Sequence, residues 1–281
     1  MIRIETVSRS FGDLLAVDRF SVTIEAGEIF GLLGPNGAGK STLISMISGQ
    51  LLPSGGSLSI GGLSPTSRDS RQRMGVAPQS LAMYEDLGSV ANLEFFGSLY
   101  GLEGHRFRQR CEEVLEFVGL RERAHERVKN FSGGMKRRLN LAISLIHDPE
   151  VLLLDEPTVG VDPQSRNRLF ENVLTLKKQG KTILYTTHYM EEAARLCDRV
   201  GIMEKGQLLA LGTVGELIRR HGGESRLNYS TKDTETHIMT SNPIADIQQA
   251  LSRHPDIFDL SLTRPDLEQV FLNLTGRQLR D

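Results

Sequence analysis

At its start the chain sets β-branched and aromatic residues in alternation or in short clusters between glycine breaks, as in "MIRIETVSRSFGD" and "FSVTIEAGEIFGLLG". That rhythm predicts strands. From Asp86 to Leu120 the spacing lengthens: "SVANLEFFGSLYGL" and "RQRCEEVLEFVGL" carry apolar residues at helical intervals, which predicts a helical insertion over about 86–148. Beyond it "VLLLDEP" is a short continuous apolar run suited to a buried parallel strand, and "KTILYTTH" and "RVGIMEKGQLLALG" repeat that pattern with helical text between them. Such a βαβ order predicts an α/β fold with a parallel sheet. Asp162 followed by Pro163 reads as a helix cap and first helical residue, opening a helix through "QSRNRLFENVLTLKKQG" that glycine closes.

Near residue 222 the pattern breaks. "HGGESRLNYSTKDTETHIMTSNP" is polar and turn-rich, after which "IADIQQALSRH" reads as a helix, "DIFDLSLT" as a strand and "DLEQVFLNLTGRQ" as a second helix. These features predict a large domain over 1–221 and a small α+β accessory unit over 222–281, thin for an independent core. The apolar face in "VFLNL" suits packing rather than a cofactor pocket.

Composition changes this picture only by exclusion. Hydrophobic residues at 39% and charged residues at 24% belong to an ordinary globular chain. Lys and Arg total 33 against 35 Asp and Glu, a formal charge of -2, so no general field grips nucleic acid and none is expected as partner. Any anion must be bound locally. Cys111 and Cys197 lie far apart without metal-ligand spacing, as reduced thiols do in a cytosolic protein. No apolar run approaches the ~20 residues that span a bilayer, and the N-terminus has no hydrophobic signal core. A role at a membrane would therefore need another polypeptide to hold the chain there.

Candidate chemistry begins at "GPNGAGKST", residues 34–42, which matches G-x-x-x-x-G-K-[ST] through Gly34, Gly39, Lys40 and Ser41. The flanks are a predicted strand, "EIFGLLG", and a predicted helix, "STLISMISG", the context this motif requires. Glycines free the backbone amides of the loop to converge on phosphate oxygens, and the helix start adds its positive dipole end. Lys40 would neutralise the outer phosphates, Ser41 would ligate Mg²⁺ and Thr42 would add a phosphate contact. The loop is thus read as holding a nucleotide polyphosphate; no N-K-x-D string for guanine is present.

"VLLLDEP" supplies a means of hydrolysis. Asp155 at the strand end suits a Mg²⁺ site, and Glu156 beside it suits orienting or deprotonating an attacking water. In "FSGGM", residues 131–135, Ser132 and the amides of Gly133 and Gly134 start another helix and make a second anion site. One small phosphate cannot use both.

With "FSGGM" shortly before "LLLDEP", residues 1 to about 220 closely resemble the ATP-binding-cassette (ABC) ATPases. The resemblance implies a P-loop NTPase core with an antiparallel β subdomain and an inserted α-helical subdomain, with ATP as the nucleotide. It implies that Phe11 stacks on adenine with Val17 beside it, and that Gly34, Pro35, Asn36, Gly37, Ala38, Gly39, Lys40, Ser41 and Thr42 form the phosphate loop. It further assigns Gln79, in "VAPQS", to Mg²⁺ and the attacking water, Asp155 and Glu156 to metal and base, Asp162 to the loop linking two sites, and His188 to the γ-phosphate. Ser132, Gly133 and Gly134 match the signature that closes on the ATP of a second, head-to-tail subunit. Departures are Phe131, Met135, Val159 and Val161 at positions where the family commonly differs. "FSGGMKRRL" and "PDLEQVFLNLTGR" resemble the branch of daunorubicin-type and related antibiotic or lipid exporters.

Such a resemblance implies an ATPase subunit, a homodimer in the simpler assembly, cytoplasmic and peripheral on the inner face of the cell membrane. It also implies a separate transmembrane permease docked near "SLAMYEDLGSVANLEFF". The competing expectation is a soluble ABC ATPase that remodels a protein or nucleic-acid complex. The absence of long coiled-coil insertions and of a second cassette favours transport.

Overall fold

A computed structural model describes residues 1–276. They form two compact units, Met1–Leu211 and a second that begins at Gly212. In the first, β1 (Ile2–Phe11) and β2 (Leu14–Ile24) make a hairpin through Gly12, whose φ of 56° suits glycine. Next come β3 (Ile29–Leu33), α1 (Lys40–Ile47) and β4 (Gly55–Ile60), which pairs with β1 to complete an antiparallel sheet of order β2-β1-β4. After α2 (Arg68–Gln72) and β5 (Met74–Ala77), the helices α3 (Ser89–Ser98), α4 (Gly104–Phe117) and α5 (Gly133–Leu145) make up the insertion. The chain then runs through β6 (Val151–Asp155), α6 (Pro163–Lys178), β7 (Thr182–Thr187), α7 (Met190–Leu196), β8 (Arg199–Glu204) and β9 (Gln207–Gly212).

The second sheet has the order β5-β6-β7-β3-β8-β9, with β5, β6, β7, β3 and β8 mutually parallel. Every residue of β3, β6 and β7 is buried, which is why these strands read as continuous apolar runs rather than alternating ones. Period-two geometry nevertheless sorts their side chains. Val151 and Leu153 join a core with Leu43, Met46, Ile4 and Phe20, whereas Leu152 and Leu154 join Leu139, Ala142, Phe170 and Val173 on the helical side. "RVGIMEKGQLLALG" turns out to be two strands: Lys205 and Gly206, at φ 47° and 82°, form the tight turn between β8 and β9.

The second unit contains α8 (Val214–His221), β10 (Ser225–Ser230), β11 (Glu235–Thr240), α9 (Pro243–Arg253), β12 (Asp259–Thr263) and α10 (Leu267–Thr275). Its sheet is antiparallel, of order β11-β10-β12. The polar stretch after residue 222 is therefore not merely turn-rich, since it holds β10 and β11. Leu227 and Tyr229 point into the small core while their neighbours face outward, and a strand with one wet face carries few apolar residues. The helix α8 was not anticipated either. Its signal is the capping box of Thr213 and Glu216, each side chain bonded to the other's backbone amide. Expected helix residues 277 and 278 lie outside the described residues.

At the sheet edge β5 packs closely on α5. A Cβ on Gly75 would sit 2.0 Å from the Ser144 carbonyl oxygen and 2.9 Å from Pro149. Gly75→Ala is expected to lower the unfolding free energy by about 1–3 kcal/mol through overpacking, read as a lower midpoint in urea denaturation. An unchanged midpoint would mean that α5 can withdraw from β5 freely.

Candidate active site

The fully buried strand β3 delivers the chain into the loop at Gly34, and α1 begins at Lys40. Gly39 occupies the cap position with φ 106° and ψ 3°, and no side chain caps the helix. The first amides of α1 are thus left for an anionic ligand. Only glycine fits at both ends of the loop: a Cβ at Gly34 would lie 2.2 Å from the Met203 carbonyl oxygen, and one at Gly39 would lie 2.4 Å from that of Ala16. Backbone bonds fix the loop in place, Gly34 N–H to the Thr187 carbonyl (3.3 Å) and Gly206 N–H to the Ala38 carbonyl (2.9 Å).

Lys40 is 4% exposed and folds back over the loop. Its Nζ donates to the carbonyls of Gly34 (2.7 Å) and Pro35 (3.0 Å) and lies 3.0 Å from Glu156 Oε1. Glu156 follows the last residue of β6 and has φ 45°, a left-handed conformation that strains a non-glycine residue by about 1–3 kcal/mol. Its amide donates to Thr186 Oγ1 (3.0 Å), and the same hydroxyl donates to Asp155 Oδ1 (2.6 Å). Gln79 Nε2 donates to Glu156 Oε2 at 3.2 Å, and His188 Nδ1 lies 3.2 Å from that oxygen. Three residues from three separate segments thereby meet at the buried carboxylate of a fourth, Glu156.

Beside this cluster opens a cleft of about 600 Å³. Phe11, Leu14, Leu15 and Ala16 line one end; Asn36, Gly37, Gly39, Lys40, Ser41, Thr42, Gln79 and Glu156 line the other, with Lys205 and Gly206 at the side. An apolar end and an amide-rich, cationic end suit a flat ring joined to a polyphosphate. Phe11 is 47% exposed, with the Arg9 guanidinium 4.9 Å from its ring centre. Val17 does not reach the cleft: its side chain is fully buried in the core, and its neighbours Leu14, Leu15 and Ala16 take the lining positions. Sequence reasoning missed those three, Lys205 and Gly206, although the apolar run "LLA" directly after the glycine turn that follows Phe11 was a usable signal.

Ser132, Gly133, Gly134 and Asp162 do not line the cleft but lie together. Ser132 caps α5 by accepting from the Met135 amide (3.2 Å), and Asp162 caps α6 by accepting from the Ser165 amide (2.9 Å). A Cβ on Gly134 would sit 2.2 Å from Ser165 Oγ, so the two helix starts touch. Hydrogen bonds from Ser165 hold the Asp162 carboxyl below the usual carboxylate range. Arg137 on α5 donates to the carbonyls of Gln79 and Val159, tying the second anion-ready helix to both loops of the first site.

A phosphate loop, a strand-end carboxylate pair and a buried lysine on a parallel sheet define a P-loop nucleotide hydrolase. The model of the ABC transporter family matches residues 17–159. The chain is 40% identical to the linearmycin resistance ATP-binding protein LnrL of Bacillus subtilis, over the whole of both chains. It is 39% identical to the Nod factor export ATP-binding protein I of Burkholderia lata, over all of this chain and 98% of that one. The solved ATP-binding subunit of an ABC transporter superposes with a TM-score of 0.72 at 28% identity, over 79% of this chain and 93% of that one. The chain belongs to the ABC transporter family and is an ATPase of the ATP-binding-cassette kind.

Replacing Lys40 removes a buried cation from the phosphate end and leaves Glu156 without its ion pair. Lys40→Ala is expected to weaken ATP binding about 30-fold or more, the equivalent of one charge-assisted contact of about 2 kcal/mol. Titration with a fluorescent ATP analogue would check it; unchanged affinity would place the phosphates elsewhere.

Proposed function

We propose that this chain is the ATP-hydrolysing subunit of a membrane exporter, working as a head-to-tail pair with a second cassette and driving a separate transmembrane protein. The convergence of Lys40, Gln79 and His188 on Glu156 carries the catalytic part of this reading. Kinship with proteins named for antibiotic resistance and for Nod factor export supports the transport part.

In this reading Phe11 packs on the adenine, and the amides of residues 34–42 cradle the phosphates. Lys40 exchanges its loop carbonyls for phosphate oxygens, which frees Glu156 from its ion pair. Glu156 then accepts a proton from the water that attacks the γ-phosphorus, while Gln79 and His188 hold that water and the γ-phosphate oxygens in line. The hard oxygen donors of Ser41, Gln79 and Asp155 fit Mg²⁺. When bound, Mg²⁺ would neutralise charge on the phosphate oxygens.

The separation of Ser132, Gly133, Gly134 and Asp162 from the cleft supports the paired assembly, in which the α5 start of one copy closes on the ATP of the other. Since all motifs occur in this one chain, a homodimer is the simpler form. The transmembrane partner would seat on the helical insertion, where Tyr84, Phe95 and Leu99 are exposed and a groove of about 420 Å³ is lined by Phe96, Tyr100 and His147. Among the described residues no helix is long and apolar enough to cross a membrane, so placement at the inner face of the cell membrane would come from that partner.

Glu156→Gln is expected to lower ATP turnover by about 10²–10⁴-fold, the usual worth of a general base, while ATP binding persists and an ATP-dependent dimer accumulates in light scattering. Turnover at the unsubstituted rate would remove Glu156 from the role of base. A variant that binds ATP but stays monomeric would sink the head-to-tail assembly. Chelation by EDTA is expected to abolish turnover in the unsubstituted chain, with recovery on adding Mg²⁺.

A further inference from the structure

Behind the cleft lies a buried carboxylate that the proposed chemistry does not use. Glu192, on α7, is 2% exposed. Thr158 Oγ1 lies within bonding distance of both its oxygens, 2.8 Å from Oε1 and 3.0 Å from Oε2. Oε2 also accepts from the Tyr185 hydroxyl (2.9 Å) and from Thr187 Oγ1 (2.9 Å). Thr187 Oγ1 in turn accepts from the Tyr189 amide at 3.0 Å. Thr158, Tyr185 and Thr187 are all buried.

These donors come from the two segments that carry the catalytic pair. Thr158 is two residues beyond Glu156 in the turn that leaves β6, and Thr187 and Tyr189 flank His188 at the end of β7. An ionised carboxylate only accepts, so each of the three hydroxyls must point its proton at Glu192. That requirement fixes the rotamers of Thr158 and Thr187, and with them the backbone on either side. Burying a charge is unfavourable unless its lone pairs are filled, and here they are filled by hydroxyls rather than by a cation. Burial first and the charge of Glu192 second push the Tyr185 hydroxyl well above its ordinary range, keeping it a donor. An apolar side chain would fill the same space without desolvating a charge, but it would orient nothing.

We propose that Glu192 is a positioning residue for ATP hydrolysis: its carboxylate clamps the turn bearing Glu156 to the strand end bearing His188, and so sets their 3.2 Å approach. The inference rests on the roles given above to Glu156 and His188. Glu192 does not line the cleft, so it acts on the chemical step and not on ATP affinity.

The test compares single-turnover phosphate release at saturating MgATP, and ATP affinity, for the full chain and its Glu192→Ala, Glu192→Gln, His188→Ala and doubly substituted His188→Ala/Glu192→Ala variants. Misplacing a catalytic group by ~1 Å costs up to about 100-fold, so Glu192→Ala is expected to slow release about 10- to 100-fold with ATP affinity within about threefold. Glu192→Gln keeps the shape and one acceptor oxygen and is expected to recover most of the rate. Because the clamp acts on the mutual approach of Glu156 and His188, the double variant is expected to lose less than the product of the two single losses. Additive losses, or full activity in Glu192→Ala, would overturn the clamp. Slower release by Glu192→Ala that merely tracks a lost folded, ATP-binding fraction would overturn it equally. If His188→Ala itself releases phosphate at the unsubstituted rate, the reading of the site has failed and the clamp falls with it. Should Glu192→Ala not fold, Thr158→Val and Thr187→Val each remove one donor at constant volume. Both are then expected to slow release several-fold at unchanged affinity, and normal rates in both would overturn the proposal.

Discussion

Parallel pairing of β6, β7 and β3 stops three strands at one height, with Asp155 opposite Thr186 and Leu33 opposite Thr187. From that edge the phosphate loop, the carboxylate pair and His188 leave the sheet side by side, although more than a hundred residues separate the first from the others. The backbone ladder fixes their spacing before any side chain is considered. Ligands of open α/β sheets bind beyond the carboxyl ends of the strands for this reason, and the 600 Å³ cleft opens there. The helices of the insertion cover the sheet without lining the cleft, which leaves the α5 start available to a second molecule.

Strand ends that are this well packed create an electrostatic problem. Lys40, Asp155, Glu156 and Glu192 are each 5% exposed or less, and charges interact more strongly here than in water. They are satisfied in three ways: Lys40 and Glu156 pair, Asp155 takes the Thr186 hydroxyl, and Glu192 gathers three hydroxyls. The Lys40–Glu156 pair is the one whose members can be drawn apart by a polyanion, because Lys40 otherwise holds only loop carbonyls. The strained backbone of Glu156 keeps its carboxylate within reach of Lys40, Gln79 and His188 together.

Features that depend on contiguous residues could be read directly. The loop needs glycine at 34 and 39 because a Cβ there would strike the carbonyls of Met203 and Ala16, and a Gly-rich string between strand and helix announces that need. Asp162 before Pro163 marked a helix start for an equally local reason. Where the deciding contact is distant, the chain gave no local sign. Val17 looks like its neighbours in sequence, yet the hairpin register turns it into the core and leaves Leu15 and Ala16 beside the cleft. The strands β10 and β11 pass for a polar loop because only one face of their sheet is covered.

By itself, then, the order of residues determined which backbone amides are free to bind phosphate, which strand carries the acidic pair and where the helical insertion falls, since each depends on local stereochemistry and short-range periodicity. Tertiary structure alone decided that Gln79, His188 and Lys40 meet at Glu156, that the start of α5 stands apart from the cleft of its own chain, and that Glu192 bonds to the segments carrying Glu156 and His188. Those relations depend on the register between strands distant in sequence and on which side chains burial deprives of water. Neither quantity is written in any one stretch of the chain.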